Sequence, residues 1–179
     1  MNALIDKMTW KTVSVLGIML VLFMVLILPH EARLLSDIVG SQISPDTSLY
    51  YTKAALLEMA DNYGQIGRNY YIISRLRFDV VFPLIYGLFF ASVIIMGFRN
   101  TRYVKYFAWI PLLTIGFDYL ENLAVSIVFF RYPEPVMILP HIAGVMTLLK
   151  WLTLTVSVLL MVIALIRVLI RPQRIKKAF

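Results

Sequence analysis

Between Thr12 and Pro29 the chain carries no charged side chain. Three more apolar blocks follow, at about Phe78–Phe98, Tyr106–Phe130 and Pro140–Ile166. A helix needs about 20 mostly apolar residues to cross the hydrocarbon core of a bilayer. With no water there, each backbone N–H and C=O must be paired internally, a condition a helix meets by itself. The expectation is an all-α, polytopic membrane four-helix bundle. Residues 1–179 form one membrane domain, with spans at about 12–29, 78–98, 106–130 and 140–166. An outer loop covers 30–77 and a basic tail 167–179.

Composition agrees with this reading. Hydrophobic residues make up 60% of the chain and charged residues 15%, against about half and a quarter in soluble domains. The net charge of +7 invites a nucleic-acid reading. However, the basic residues sit at the ends of the apolar blocks, where they orient membrane proteins, and no nucleic-acid-binding motif is present. The chain has no cysteine, which excludes disulfides, thiolate metal sites and cysteine nucleophiles. The first block is longer than the apolar core of a signal peptide, and no small-residue cleavage site follows Pro29-His30-Glu31, so it reads as an uncleaved anchor.

Lys7, Lys11, Arg99, Arg102, Lys105, Arg167, Arg171, Arg174, Lys176 and Lys177 would all lie on one side of the membrane. The other side holds Arg33, Lys53, Arg68, Arg75, Arg77 and Arg131, spread over a longer stretch that also carries acids. The positive-inside rule then puts both termini in the cytoplasm. The tail Arg171–Lys177 reads as a basic segment against anionic headgroups.

In the outer loop, Ser44-Pro45-Asp46 looks like a helix start, with Asp46 as cap and good helix formers from Thr47 to Asn62. Tyr63-Gly64 breaks that helix. From about Gly67 the chain is expected to be helical again and to run unbroken into span two. Tyr50, Tyr51, Tyr70 and Tyr71 suit a water–lipid boundary.

The chemistry lies in the charges inside the spans. A charge at bilayer depth costs a few kcal/mol, about 2.5–3.5 on insertion scales, so it survives when paired, hydrated or useful. Asp118, Glu121 and Asn122 are spaced i, i+3, i+4 and share one helix face. Counting about 1.5 Å per residue from the cytoplasmic ends puts Glu121 and Lys150 roughly level, with Asp118 a little deeper and Asp79, one turn from Arg75, near the outer edge. Thr147, Lys150, Thr153 and Ser157 form a polar stripe on span four. The picture is a polar cavity open to the outside, with Arg75 and Arg77 at its mouth, Asp79, Lys150 and Glu121 below, and Asp118 at the floor. Tyr86 belongs to the same ligand-binding set.

Each feature has a plainer reading. A buried ionic cluster can serve only to specify which helices pair, at no gain in stability, and this covers docking to partner membrane helices or to further copies of the chain. Two acids, an amide and a lysine at matched depth favour a cavity over that reading. Asp118-x-x-Glu121-Asn122 offers oxygen ligands for a hard cation, but Lys150 would compete with it. His141 and His30 are too few for a histidine metal site. No metal or cofactor is expected. Gly87 and Ala91 form a small-xxx-small pair for close helix approach, and Pro83 and Pro111 are candidate kink points. No Ser-His-Asp set, Walker loop or H-E-x-x-H is present.

Asp79-x-x-x-Pro83-x-x-Tyr86-Gly87, Asp118-x-x-Glu121-Asn122 and Lys150-Trp151 together resemble a pattern in small, uncharacterised four-helix integral membrane proteins of bacteria. The resemblance covers about half the chain and implies the inner (cytoplasmic) membrane, without any activity. The layout, with a long first outer loop, is also similar to claudins and quinone-epoxide reductases, but this chain lacks the cysteines on which both depend. The leading expectation is binding or translocation of a small polar or amphiphilic ligand, with membrane lipids as surroundings. Lys150 would attract an anionic group. Glu121 and Asp118 would tune it or carry protons. The alternatives are an enzyme acting on a lipid-linked substrate, with Glu121 or Asp118 as general base, and an accessory subunit.

Overall fold

A computed structural model describes residues 2–40, 44–134 and 137–170; the basic tail lies outside the described residues. The described residues are helical, with no strand among them. Helix α1 (Asn2–Lys7) precedes α2 (Trp10–Leu22), which Thr9 caps by accepting from the Thr12 N–H. A π-helical turn, Phe23–Ile27, joins α2 to α3 (Leu28–Val39) without a break. The first helix is therefore longer than the apolar block, and the start of the expected outer loop is helical. It stops at Gly40, whose φ of +67° is the left-handed conformation that commonly ends a helix.

Asp46 does not cap a helix. Pro45–Thr47 forms a single 3-10 turn. Helix α4 (Lys53–Asn62) begins only after Thr52, whose hydroxyl accepts from the Ala55 N–H. The better cap wins because Thr52 is extended and directly precedes the helix formers, which leaves Asp46 free for a tertiary partner. Gly64, with φ +57°, separates α4 from α5 (Gly64–Arg77) as expected.

The junction into span two differs from expectation. Helix α5 ends at Arg77, residues 78–81 form turns, and α6 (Phe82–Phe98) starts afresh with a bend of 40°. The cause is Pro83, which has no N–H to donate to the Asp79 carbonyl and whose ring crowds that position. Tyr119 donates to the Val80 carbonyl at 2.5 Å and so satisfies one acceptor freed by the break. Pro111, by contrast, sits inside an α7 that stays one helix from Val104 to Arg131. Helix α8 (Leu139–Ile170) is the longest.

Among the described residues, three helical stretches are long and apolar enough to cross a membrane: Trp10–Val39, Val104–Arg131 and Leu139–Ile170. The bent pair α5–α6 makes a fourth if taken as one span. These apolar helices suggest a membrane protein. Many of their large side chains face outward, including Ile18, Val25, Leu123, Phe130, Leu159 and Leu169, an arrangement that water would penalise and lipid would not.

Helices α6, α7 and α8 pack closely on one another, and α2 packs on α6. Glycines allow two of these approaches. A Cβ on Gly87 would lie 2.4 Å from the Ile115 side chain of α7, and one on Gly97 would lie 2.5 Å from the Ala164 Cα of α8. Below the charged residues the core is apolar, built on Val13, Ile94, Ile95, Phe98, Ala108 and Ala164. At the opposite end a second core joins α4, α5 and the upper parts of α7 and α8 through Leu56, Tyr63, Tyr71, Val125 and Phe129. Tyr51 and Tyr71 are buried there and Tyr50 is exposed. Two of the four tyrosines assigned to a boundary are thus core residues of a helical cap. A lone aromatic pattern does not distinguish the two roles, because either buries the ring.

Candidate functional site

Lys150 is the centre of the charged cluster. Its Nζ lies 2.5 Å from Glu121 Oε2 and 3.8 Å from Asp118 Oδ1. Glu121 is 0% exposed, Lys150 5% and Asp118 8%. The remaining acceptor capacity is largely used. Thr147 Oγ1 lies 2.6 Å from Glu121 Oε1 and 2.9 Å from the Ala143 carbonyl, two acceptors that share its one proton. The Tyr51 hydroxyl donates to Glu121 Oε1 at 3.3 Å. Burial, reinforced by the Glu121 carboxylate, pushes the Tyr51 phenol well above its usual 10.0, so it remains a donor. Tyr86 donates to Asp118 Oδ2 at 2.6 Å, and Asn122 Nδ2 to Asp118 Oδ1 at 3.0 Å. The i, i+3, i+4 face of α7 is therefore real. The carboxylate oxygens that a hard cation would need already face an ammonium and neutral donors, which leaves only the amide Oδ1 of Asn122 without a partner among the three side chains.

A second charged group lies beside the first. Arg75 pairs with Asp79 one turn along and with Asp46 from the 3-10 turn. Its guanidinium also rests over the Tyr71 ring at 4.3 Å. The 3-10 segment is held down at further points. Trp151 Nε1 donates to the Ser48 carbonyl at 2.9 Å. The Tyr51 carbonyl lies so near Gly144 that a Cβ there would approach it to 2.5 Å. Residues 44–52 thus form a strap between α5 and α8, over the charged cluster.

Both groups border one cavity of about 880 Å³, within the range of about 300–1,000 Å³ usual for small-molecule sites. Asp46, Arg75, Asp79, Tyr86, Asp118 and Lys150 line its polar end. Leu20, Met24 and Leu28 of the first helix and Leu154 and Val158 of α8 line an apolar arm between those helices, with Phe82 and Phe90 alongside. Glu31, Arg33 and Asp37 of α3 stand at its rim, where Glu31 accepts from Tyr70 at 3.0 Å and Ser74 at 3.1 Å.

Several expectations change. The cavity is amphipathic rather than polar. Glu121 and Asn122 do not line it: Glu121 is fully buried against Lys150 and Asn122 is buried against Asp118, and Glu121 therefore loses the access that a general base needs. Arg77 is exposed and off the cavity, being two residues, or about 200°, around the helix from Arg75. Thr153 and Ser157 turn their hydroxyls back to carbonyls of their own helix. His141 is exposed in the first turn of α8. Asp46, Tyr51 and Glu31 were missed. Each lies in a segment whose local pattern indicates only a cap, a boundary or a helix face, and their partners are 29 to 70 residues away.

No family model, no curated protein and no solved structure matches this chain. The functional reading therefore rests on geometry.

Proposed function

We propose that this chain is a four-helix membrane protein that binds an amphiphilic ligand, polar group inward and apolar portion between the first and last helices. The supporting observation is the shape of the cavity: one wall charged, one arm apolar, within a single half-open space. A purely structural ion cluster needs no such space beside it. The spans of this reading are Trp10–Val39, the bent pair Gly64–Phe98, Val104–Arg131 and Leu139–Ile170.

The positions of the basic residues support an orientation. Arg99 donates to the Ile5 and Asp6 carbonyls, and Arg167 Nε to the Gly97 carbonyl. The N-terminal segment, the α6–α7 connection and the end of α8 thus share one end of the molecule. Lys7, Arg102 and Lys105 belong to those same segments. This end faces the cytoplasm of a bacterial inner membrane, and the helical cap with its strap faces outward.

Polymer extraction of the protein with its native lipid, followed by mass spectrometry of what remains bound, tests the reading. A retained amphiphile is expected at about one per chain. Leu154→Trp fills the apolar arm without touching a charge and should deplete that amphiphile while the helical content stays unchanged. A bound fraction identical to bulk lipid in both proteins would refute the assignment.

A further inference from the structure

The polar end of the cavity is not charge-balanced. Asp46, Asp79, Asp118 and Glu121 gather around only two cations, Arg75 and Lys150. Lys150 closes on Glu121. Arg75 is shared between Asp46 and Asp79. Asp118 is left with the longer 3.8 Å approach of Lys150 and two neutral donors, Tyr86 and Asn122. The rim adds Glu31 and Asp37 against Arg33. Surplus charge beside apolar walls is unfavourable unless something compensates it. An anion drawn to Lys150 alone would meet Asp79 and Asp118 on the same wall.

Arg75 also borders the cavity, with its side chain 14% exposed, and a guanidinium has more N–H donors than the one contact each to Asp46 and Asp79 uses. A surplus of carboxylates next to an arginine donor with spare capacity is complementary to a zwitterion. The carboxylates suit an ammonium, and the guanidinium suits an anionic oxygen a few bonds away. The apolar arm suits the attached chain.

We propose that the cavity selects a lipid whose headgroup carries a primary ammonium beside a phosphate. The ammonium sits between Asp79 and Asp118, and the phosphate turns toward Arg75. This deepens the function proposed above and rests on it. A primary ammonium has three N–H donors for carboxylate oxygens. A trimethylated ammonium has none, and an anionic headgroup adds to the surplus.

Trp151 lines the cavity and is one of three tryptophans. Trp10 and Trp109 are exposed and can be replaced by phenylalanine, leaving Trp151 as sole reporter. The full chain would be placed in bilayers containing brominated-chain phosphatidylethanolamine, phosphatidylcholine or phosphatidylglycerol, and Trp151 quenching followed against mole fraction. Half-quenching is expected at a mole fraction at least about fivefold lower for phosphatidylethanolamine than for the other two. Asp79→Asn and Asp118→Asn should each reduce that preference to below about twofold. The comparison within the unaltered charge cluster decides the matter even if a variant folds poorly. Equal quenching by all three lipids, as expected if protons neutralise the acids, overturns the headgroup assignment but not the cavity's function; so does stronger quenching by phosphatidylglycerol. A brominated alkylamine that quenches as efficiently as phosphatidylethanolamine overturns the phosphate half. Failure of every brominated probe to quench Trp151 overturns both readings.

Discussion

The ammonium of Lys150 and the carboxylate of Glu121 meet at 2.5 Å in a place where Glu121 has no exposed surface at all. The pair joins α7 to α8 and also fixes the back wall of the cavity. Removing one member of a buried pair leaves the other uncompensated, at a cost of about 3–5 kcal/mol, whereas replacing both by apolar groups of similar size is often neutral. Lys150→Met should therefore lower stability by about that amount in denaturant titrations, and Lys150→Met with Glu121→Met should recover most of it. A double variant no better than the single one would mean that the pair does not act as a unit.

The two tight glycines should respond unequally. At Gly87 the obstacle to a Cβ is Cγ1 and Cδ1 of Ile115, which a rotamer change can move, with the Pro111 carbonyl next at 3.2 Å. At Gly97 it is the Ala164 backbone, which cannot. Overpacking typically costs about 1–3 kcal/mol. Gly97→Ala should reach the upper part of that range and Gly87→Ala the lower part. Thermal unfolding in one detergent ranks them directly, and the reverse order would contradict the α6–α8 crossing described here.

The strap over the cavity is fastened by Asp46 to Arg75, by Ser48 to Trp151 and by Tyr51 to Glu121. Asp46→Asn weakens one fastening only. Amide hydrogen exchange should then speed up in residues 44–52, by about fivefold or more, with α7 and α8 unchanged. Uniform acceleration across the protein would show that Asp46 supports the whole fold rather than the strap.

The Tyr51 phenol is raised by burial and by Glu121, and this has a pH consequence of definite sign. Between the unfolded value near 10.0 and the higher folded value, only the unfolded chain loses the proton. The contribution of Tyr51 is thus complete below about pH 10 and is lost as pH rises further. Stability measured from pH 9 to 12 should fall less steeply in Tyr51→Phe than in the parent. Identical slopes would place the phenol in water.

Much of this was legible in the sequence because it is local. Block length and the absence of charge define the apolar helices, and helical spacing alone puts Asp118, Glu121 and Asn122 on one face. The Glu121–Lys150 contact was reachable by counting residues from the two ends of adjacent antiparallel helices. Pro83 marked the break, although its effect was expected as a kink within a continuous helix. Asp46 was not legible. Its neighbours Ser44 and Pro45 mimic a helix start, and nothing near it points to an arginine 29 residues later.

By itself the sequence determined the helical class, the approximate limits of the apolar segments and which charges must be sheltered, since all of these follow from the chain's own rise per residue and from the cost of exposing a charge to hydrocarbon. Only the tertiary structure decided which of those charges border open space. It turned Lys150 and Asp118 toward the cavity, sealed Glu121 behind them, and brought Asp46 and Tyr51 across the top. Those outcomes depend on how helices rotate and how closely glycines let them approach, and side-chain packing between distant segments sets both.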